Sequence, residues 1–452
     1  MSGQSPLRDV SAESGPATSI ASRLARRLAR PVDAAARARA ALHLLDWTGC
    51  AIAGARSPGP QSLFRAVGDD PLARALRLGA IGNVLEMDDV DKRALLHPGP
   101  VVAPAAIVAA EAAGADGGAL LDAIVRGYEA MIRVGRAVGP SHYAFWHNTA
   151  TCGPFGAAAA AASLIGLDAE QTADALGLAG TQAAGLWQVR HEPLSHAKQL
   201  HAAHAAHAGL LAARLVAEGF VGLRTIFEGP QGFFAAMCEG ATPEAILADE
   251  REGPAIFDVS FKPWPACRHA HAAIDAALAL RRDGARADDF EEIIVHVYRD
   301  AILFCDRPEP RDTLSAKFSL QHAVAATLVR GAPDLADFEA DAIADPAIAA
   351  LRARIRVVED PALSARYPVR FGASLTARDA SGARRVAEAP DALGDPENPA
   401  PATLIRDKAR RLMRAGGMSA IDAEGLVDAT LALADKAPLS EFLRRLEGAI
   451  GR

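Results

Sequence analysis

The sequence has few cysteines, and those it has are far apart. The five lie at positions 50, 152, 238, 267 and 305, and no two of them form a C-x-x-C pair. A disulfide framework normally uses an even and closely spaced set, and iron–sulfur ligation uses close runs of cysteine. The cysteine content therefore predicts neither a disulfide-stabilised secreted domain nor an iron–sulfur protein.

Long apolar runs are also lacking. Stretches such as AAAAAASLIG (157–166) are far shorter than the roughly 20 residues that cross a bilayer, and the first 30 residues contain no apolar signal segment. The net charge of −7 gives no long-range attraction to nucleic acid or to an anionic membrane. We expect a cytoplasmic protein that binds neither, and an anionic substrate would need a local cluster of cations.

The 452 residues suggest two domains, because one hydrophobic core rarely grows this large. Helical periodicity dominates from about residue 17 to 250 and returns in the last 50 residues. Between them, FEEIIVHVY and RIRVV alternate as strands, and VRFGASLTARDASGARRVAEA indicates a hairpin that turns at 380–382 with Val369 on its buried face. The stretch 394–401 has the composition of a linker.

The predicted fold is therefore mainly α with an α+β part. Residues 1–16 form a flexible arm, residues 17–262 and 400–452 form a large all-helical domain, and residues 263–399 form a smaller inserted α+β lid domain.

The segment LEMDDVDKRALLHPGP (85–100) combines acids with a histidine in a loop-like setting. Such a mixture does not stabilise a hydrophobic core, so it needs another explanation. Seven of the 13 histidines also fall between 142 and 207. Among them, His147 precedes a threonine pair and a glycine-bounded turn, where it is suited either to proton transfer near neutral pH or simply to bonding the backbone.

A further group of histidines lies on one predicted helix. His201, His204 and His207 follow Lys198 at intervals of three residues and share one side of that helix. We favour a polar face for His204 and His207 over a zinc site, because no third ligand or supporting group is evident nearby.

Lysine is scarce where arginine is plentiful: the chain has six lysines, at positions 92, 198, 262, 317, 408 and 436. A retained lysine suits a compact, tunable charge, although a solvated surface lysine is equally consistent with composition. Lys262 lies with Arg268 and His269 in FKPWPACRHAH at the presumed domain junction. Junctions often hold small-molecule sites, and the alternative is a hinge with polar residues.

Nine motifs follow one another along the chain: LLDWTGCAIAGA, LEMDDVDKRALLHPGP, GYEAMIRVGRA, HNTATCG, LDAEQTADALGLAGTQAAGL, EGPQGFF, KPWPACRHAHAAIDAAL, FSLQHAVAATLVRG and GDPENP. Together these motifs resemble the MmgE/PrpD family, which contains 2-methylcitrate dehydratase, cis-aconitate decarboxylase and iminodisuccinate epimerase. The resemblance implies a helical domain with a lid, a homodimer, and a small di- or tricarboxylate substrate. It also implies chemistry without an iron–sulfur cluster, and we expect no other cofactor and no metal.

Carried over by position, the resemblance implies catalytic roles for His147, Lys198, Lys262, His97 and Asp88, and substrate binding by Asp89, Glu86, Arg268, His269 and His322. Proton removal beside a carboxylate builds negative charge, which the two lysines would meet and Arg268 would help to clamp. A base must take the proton and an acid must return one, and the sequence does not say which histidine does which.

Two positions depart from the family pattern: Glu86 stands where members often have aspartate, and His322 stands where several have tyrosine. Either change retunes the site or is drift. The leading interpretation is a dehydratase of the 2-methylcitrate type. The alternatives are an epimerase of an imino or amino diacid, a decarboxylase of the cis-aconitate type and, last, a non-enzymatic acid-binding protein.

Overall fold

The computed structural model describes residues 18–192, 195–248 and 253–451, so the predicted arm (1–16) lies outside the described residues. The first part of the chain forms helices α1 (Ile20–Leu28), α2 (Ala34–Gly54), α3 (Pro58–Ala66), α4 (Pro71–Asn83), α5 (Gly99–Ala112), α6 (Gly117–Ala137), α7 (Gly139–Phe145), α8 (Asn148–Ile165), α9 (Ala169–Gly180), α10 (Ala197–Ala217) and α11 (Phe233–Met237).

The middle part mixes helices and strands: α12 (His271–Arg282), β1 (Phe290–Val297), α13 (Arg299–Cys305), α14 (Thr313–Lys317), α15 (Leu320–Arg330), α16 (Ala340–Ala344), α17 (Pro346–Arg352), β2 (Ile355–Glu359), α18 (Pro361–Ser364), β3 (Ala373–Asp379) and β4 (Arg384–Ala389). The chain ends in α19 (Ala402–Ala415), α20 (Ala420–Ala432) and α21 (Leu439–Ile450).

Helix α8 lies at the centre of the helical part and packs against α5, α6 and α10. The expected glycine-bounded turn after His147 is wrong, because α8 begins at Asn148 and continues through Pro154. Small residues on α8 explain why the helix continues here. A Cβ on Gly153 would lie 2.8 Å from the Cβ of Ala205, so the glycine permits a close contact between α8 and α10. Tertiary packing therefore overrides the local turn signal.

The helical part has one large hydrophobic core, built by residues 20–259 together with residues 409–449, and a small cluster of Cys50, Ala53, Met87 and Leu412. Helix α19 returns from the end of the chain to pack on α2, which explains how both ends build one body. The predicted fold class, mainly α with an α+β part, is confirmed; the exact domain boundaries stay a prediction. Of the described helices, none combines the length and the apolar character needed to cross a membrane.

Residues 264–392 form a second core around a four-stranded sheet of order β2-β1-β3-β4. Strand β1 is parallel to β2 and antiparallel to β3, and β3 pairs with β4 as the predicted hairpin. Alternate residues of β1, including Ile293 and Val295, are buried, and the sheet is covered by α12, which packs on β3 and β4, and by α15, which packs on β2. The placement of Val369 on the buried face is wrong, because it precedes β3 and is 50% exposed.

The stretch 394–401 does more than connect the two parts. Asp395 is fully buried, accepts a hydrogen bond of 2.5 Å from Ser260 Oγ and forms an ion pair with Arg268. Gly394 has a φ of 95°, and a Cβ there would lie 2.2 Å from the carbonyl oxygen of Phe261. The interpretation as a simple linker is therefore corrected: this crossing is packed against the junction and supplies a buried carboxylate.

Candidate active site

A cavity of about 360 Å³ lies where the two cores meet, a size typical of a small-molecule site. Both parts of the chain line it. Seven of the ten predicted site residues are among the lining residues: Glu86, His97, His147, Lys198, Lys262, Arg268 and His269.

Two lysines and one glutamate form a charged wall on the helical side. Lys198, near the start of α10, forms an ion pair with Glu86, and Lys262 Nζ lies 3.8 Å from Glu86 Oε2 and 3.5 Å from Asp88 Oδ1. Burial would raise the pKa of Glu86, but Lys198 and Lys262 lower it below its ordinary value. Burial would likewise lower the pKa of Lys198, but Glu86 and Asp88 raise it. Both groups are therefore charged at neutral pH.

The backbone helps to hold Glu86 in place. Its φ is 59°, in the left-handed region that residues other than glycine adopt uncommonly. The residue lies in the loop between α4 and α5, where the Lys317 ammonium donates to the neighbouring carbonyl of Leu85 at 3.0 Å. This buried lysine fixes the loop next to the carboxylate.

The partly buried His97 and the buried Asp88 form a pair beside the lysines. His97 Nδ1 lies 2.8 Å from Asp88 Oδ2 and 2.9 Å from the carbonyl oxygen of Asp89. Burial would raise the pKa of Asp88, but Lys262 and His97 hold it well below its usual range. Because both neighbours are acceptors, Nδ1 carries the proton and Nε2 is left for chemistry. Asp88 itself is not among the residues that line the cavity.

His147 is a buried histidine at the N-terminal end of α8. Its Nδ1 lies 3.1 Å from Nδ1 of His201, and its ring centroid is 4.4 Å from that of Trp187. Burial first, and then the nearby His201 and Lys198, lower its pKa well below the ordinary value. The imidazole is therefore neutral at physiological pH, as a general base must be.

The part of the chain with the second core (residues 264–392), called the lid below, lines the cavity with three phenylalanine rings among other residues. His269 stacks between Phe304 and Phe371, with ring centroids 4.7 and 5.4 Å away, and its Nδ1 lies 2.6 Å from the Tyr298 hydroxyl. Burial and then neighbouring arginines lower its pKa to about 3, so it is a neutral hydrogen-bonding group. Arg268 is buried beside it and already forms an ion pair.

Asp89 points away from the cavity. Its Oδ2 accepts a 2.7 Å hydrogen bond from the Tyr128 hydroxyl and lies 2.7 Å from His43 Nδ1, while Gly99 N donates to Oδ1 at 2.9 Å. Burial raises its pKa to about 6. The expectation that Asp89 binds substrate is corrected by this position, which faces the helical core.

His322 is also placed elsewhere. It is buried on α15 inside the lid, with Nε2 2.8 Å from the carbonyl oxygen of Asp337 and Nδ1 3.2 Å from Arg352 Nη1. Among the described residues that line the cavity, His322 does not occur. Its difference from the family pattern therefore concerns the packing of the lid rather than direct contact with a ligand.

The cavity also contains residues that sequence reasoning missed. Tyr143, Trp187 and Arg190 line it from the helical side, and Cys267 and Arg307 line it from the lid. No sequence motif identifies these residues. The available signals are that Arg190 lies eight residues before Lys198 and that Cys267 is next to Arg268.

Sequence profiles of two domains match this chain in the expected order. The profile of the MmgE/PrpD N-terminal domain matches residues 18–246, and that of the C-terminal domain matches residues 264–431. The chain belongs to the MmgE/PrpD family. Within this MmgE/PrpD chain the cavity lies between the two matched domains, and Lys262 comes from the short segment that joins them.

Named relatives of this MmgE/PrpD chain are lyases of two kinds. The cis-aconitate decarboxylase-like protein oryM of Aspergillus oryzae is 28% identical, over 92% of this chain and 94% of that protein. Cis-aconitate decarboxylase of Aspergillus terreus is 30% identical over 54% of this chain and 56% of that protein. The 2-methylcitrate dehydratase of Escherichia coli K12 is 28% identical over 46% of this chain and 44% of that protein. The chain thus spans about half the length of the last two.

Proposed function

We propose that this protein is a lyase that acts on a small di- or tricarboxylate by removing a proton next to a carboxylate. The reaction we favour is loss of water from a hydroxy acid of the 2-methylcitrate type, without an iron–sulfur cluster. One observation carries the proposal: a neutral buried imidazole, His147, shares one cavity with the ammonium groups of Lys198 and Lys262.

His147 is assigned as the base. Its pKa is low because the ring is buried close to His201 and Lys198, so it is unprotonated when substrate arrives. Taking a proton from carbon leaves an electron pair that spreads onto the adjacent substrate carboxylate. Lys198 and Lys262 meet this developing charge, and their fixed positions avoid a cost of reorganisation during the reaction.

His97 is assigned as the acid. When its Nε2 carries a proton as well, the ring is a cation beside the Asp88 carboxylate, 2.8 Å from Nδ1. It can then give the Nε2 proton to the departing hydroxyl while the C–O bond breaks and the C=C bond forms. The products are an unsaturated acid and water. The proton that His147 holds returns to solvent, and His97 takes up another.

Decarboxylation is the second candidate, favoured by the relative that aligns along nearly its whole length, whose name is cis-aconitate decarboxylase-like. Breaking a bond to a carboxylate also leaves an electron pair that cations must stabilise, so the same two lysines would serve. That reaction consumes one proton at carbon, which a histidine would deliver. Epimerisation of an imino or amino diacid would use the same proton abstraction, with return to the opposite face.

The test follows hydroxy, unsaturated and amino di- and tricarboxylates by NMR in deuterated water, with Lys198→Met as the inactive control. An unsaturated product supports dehydration, and carbon dioxide with a deuterated product supports decarboxylation. Deuterium incorporation alone supports epimerisation. Unchanged spectra with every acid, or equal turnover by the Lys198→Met variant, would overturn the lyase assignment.

A homodimer and a cytoplasmic location also stay proposals. Apolar side chains on the surface near α7 and α10 support self-association: Phe145 is 70% exposed, Leu186 57% and Leu200 49%. Light scattering on the purified protein would decide, and a monomer at micromolar concentration would exclude the dimer.

A further inference from the structure

The charges on one part of the cavity wall balance one another. Four lining cations each have a carboxylate within 4.0 Å, and four carboxylates serve them. The pairs are Lys198 with Glu86, Lys262 with Glu86 and Asp88, Lys92 with Glu397 and Asp395, and Arg268 with Asp395. A wall with no net charge has no excess cation for the remaining carboxylates of a di- or tricarboxylate.

Two further cations that line the cavity, Arg190 and Arg307, are not part of these ion pairs. Within the part of the chain that the structure describes, no carboxylate lies within 4.0 Å of the guanidinium of Arg190 or of Arg307. Burial raises the pKa of Asp300, and the charge of Arg190 offsets this only in part, so this acid is near but is not an ionic partner. A polyanion that enters the cavity therefore meets two arginines that, among the described residues, have no carboxylate at ion-pair distance.

Arg190 reaches across the cleft. It ends the short 3-10 helix Trp187–Arg190 on the helical side, and its guanidinium carbon lies 4.2 Å from the ring centroid of Phe304 on the lid helix α13. It is also 5.4 Å from the Trp187 ring centroid. Stacking on both rings orients the plane of the guanidinium and leaves its N–H edges for hydrogen bonds to a carboxylate.

Arg307 belongs to the lid and is anchored through its backbone. Its N–H donates to Gln321 Oε1 at 3.2 Å and its carbonyl oxygen accepts from Ser319 Oγ at 2.6 Å, while its side chain lies over the Phe318 ring at 5.7 Å. The backbone is thus fixed, and among the described residues the side chain that lines the cavity forms no hydrogen bond or ion pair.

We propose that Arg190 and Arg307 bind the carboxylates of the substrate that do not react, and so set the preference for a di- or tricarboxylate. This inference rests on the proposed function and names the groups that select its substrate. Because one arginine comes from each side of the cleft, a substrate bound by both also links the lid to the helical part. Planar guanidinium groups match carboxylates through paired hydrogen bonds.

The experiment measures binding of two unreactive probes, tricarballylate and glutarate, by calorimetry at fixed ionic strength. The variants are Arg190→Gln, Arg307→Gln and the double variant. Arg311→Gln is the matched control, since Arg311 is an exposed arginine four residues from Arg307 and is not among the lining residues. Thermal unfolding of each variant checks the fold, and Arg190→Lys, which keeps the charge without the planar fork, is a second variant at that position.

We expect each glutamine variant to raise the dissociation constant of tricarballylate at least about tenfold, and to reduce the preference for tricarballylate over glutarate. The dissociation constant of Arg190→Lys should fall between those of the wild type and Arg190→Gln. That of Arg311→Gln should match the wild type. Dissociation constants unchanged within twofold in folded variants, or no binding of tricarballylate by the wild type, would overturn the assignment. If the arginine variants lose binding while no acid is turned over by the wild type, the arginine assignment stands and the lyase proposal fails.

Discussion

The loop 86–97 presents its acids in two directions, and the two sides differ in their partners. Towards the cavity, Asp88 meets Lys262, and its pKa lies well below the usual range despite burial. Towards the helical core, the adjacent Asp89 meets neutral donors such as the Tyr128 hydroxyl, and burial raises its pKa to about 6. Burial alone therefore does not decide the charge of a carboxylate; the presence of a cation does.

The same contrast holds for lysines. Lys198 on the cavity side is paired with Glu86 and keeps part of its surface free for a ligand. Lys408 on the core side is fully buried between Asp46 Oδ1, 2.6 Å away, and the carbonyl oxygen of Met87. We propose chemistry for the cavity side, whereas on the core side Lys408 holds α19 against α2, so equivalent substitutions should have different consequences.

The largest contrast is expected between Lys198→Met and Lys408→Met. The first should lower kcat by about 10²–10³-fold with a small change in unfolding temperature, because one stabilising cation is lost. The second leaves Asp46 buried without its cation, which costs about 3–5 kcal/mol of stability. Steady-state kinetics and denaturant unfolding measure both effects.

Lys436→Met is the control, because Lys436 is exposed and lies outside both networks. Lys262→Met should lose turnover as Lys198→Met does, but with a measurable loss of stability, since Lys262 contacts two buried carboxylates. A Lys198→Met protein that unfolds easily yet retains turnover would show that this lysine is structural.

The second contrast is between Asp88→Asn and Asp89→Asn. Asp88→Asn removes the carboxylate that orients His97 and should lower kcat about 10²-fold. Asp89→Asn should act on stability through pH. The native pKa of Asp89 is raised from 3.8 to about 6, so its contribution to stability is fully present below about pH 4 and is lost as pH rises through 6.

The measurement is the free energy of unfolding of both proteins between pH 4 and pH 7. The wild type should lose up to roughly 3 kcal/mol more than Asp89→Asn over this interval, because asparagine does not ionise. Asp46, whose pKa burial raises to about 6, is present in both proteins; the Asp89 charge adds to that rise, so the titration of Asp46 cancels from the difference only in part. Parallel curves would mean that Asp89 does not titrate as its burial indicates.

Periodicity explains why much of the fold was predictable. Repeating apolar positions mark long helices such as α6, and alternation marks β1 and the hairpin β3–β4. Lysine scarcity was also informative. Five of the six lysines are buried or line the cavity, and only Lys436 is on the surface.

Loops carry no such period, and there the sequence was less informative. The direction of Asp89, the burial of Asp395 and the place of Arg190 in the cavity depend on contacts with segments far away along the chain. A resemblance by position identifies the loop that forms a wall, but it does not say which neighbouring side chain faces the ligand. For His322 the resemblance implied substrate binding, but its Nε2 lies against the carbonyl oxygen of Asp337 and the residue is not among those that line the cavity.

A third contrast compares two histidines one turn apart on α10. His201 Nδ1 lies 3.1 Å from His147 Nδ1, whereas the ring of His204 stacks on that of His207, with centroids 6.3 Å apart. His201→Ala should lower kcat about tenfold, because His147 loses the hydrogen bond that fixes its tautomer. It should also raise the kinetic pKa of His147, since His201 helps to lower it, and move the acidic limb of the pH–rate profile to higher pH.

His204→Ala is the matched control and should leave both the rate and the profile unchanged. An identical effect of the two substitutions would show that the histidine row acts only through the packing of α10.

The smallest contrast concerns the two departures from the family pattern, Glu86 and His322. Glu86→Asp withdraws the carboxylate by one methylene from Lys198 and so changes the charge that faces the substrate. The ratio of kcat/KM between two acids, such as 2-methylcitrate and citrate, should change up to about tenfold, because selectivity is a difference in transition-state binding. His322→Tyr, inside the lid, should alter the unfolding temperature and leave the ratio as it is, since His322 contacts Asp337 and Arg352 rather than the cavity. A ratio changed by His322→Tyr would place the selectivity of this enzyme in the packing of its lid.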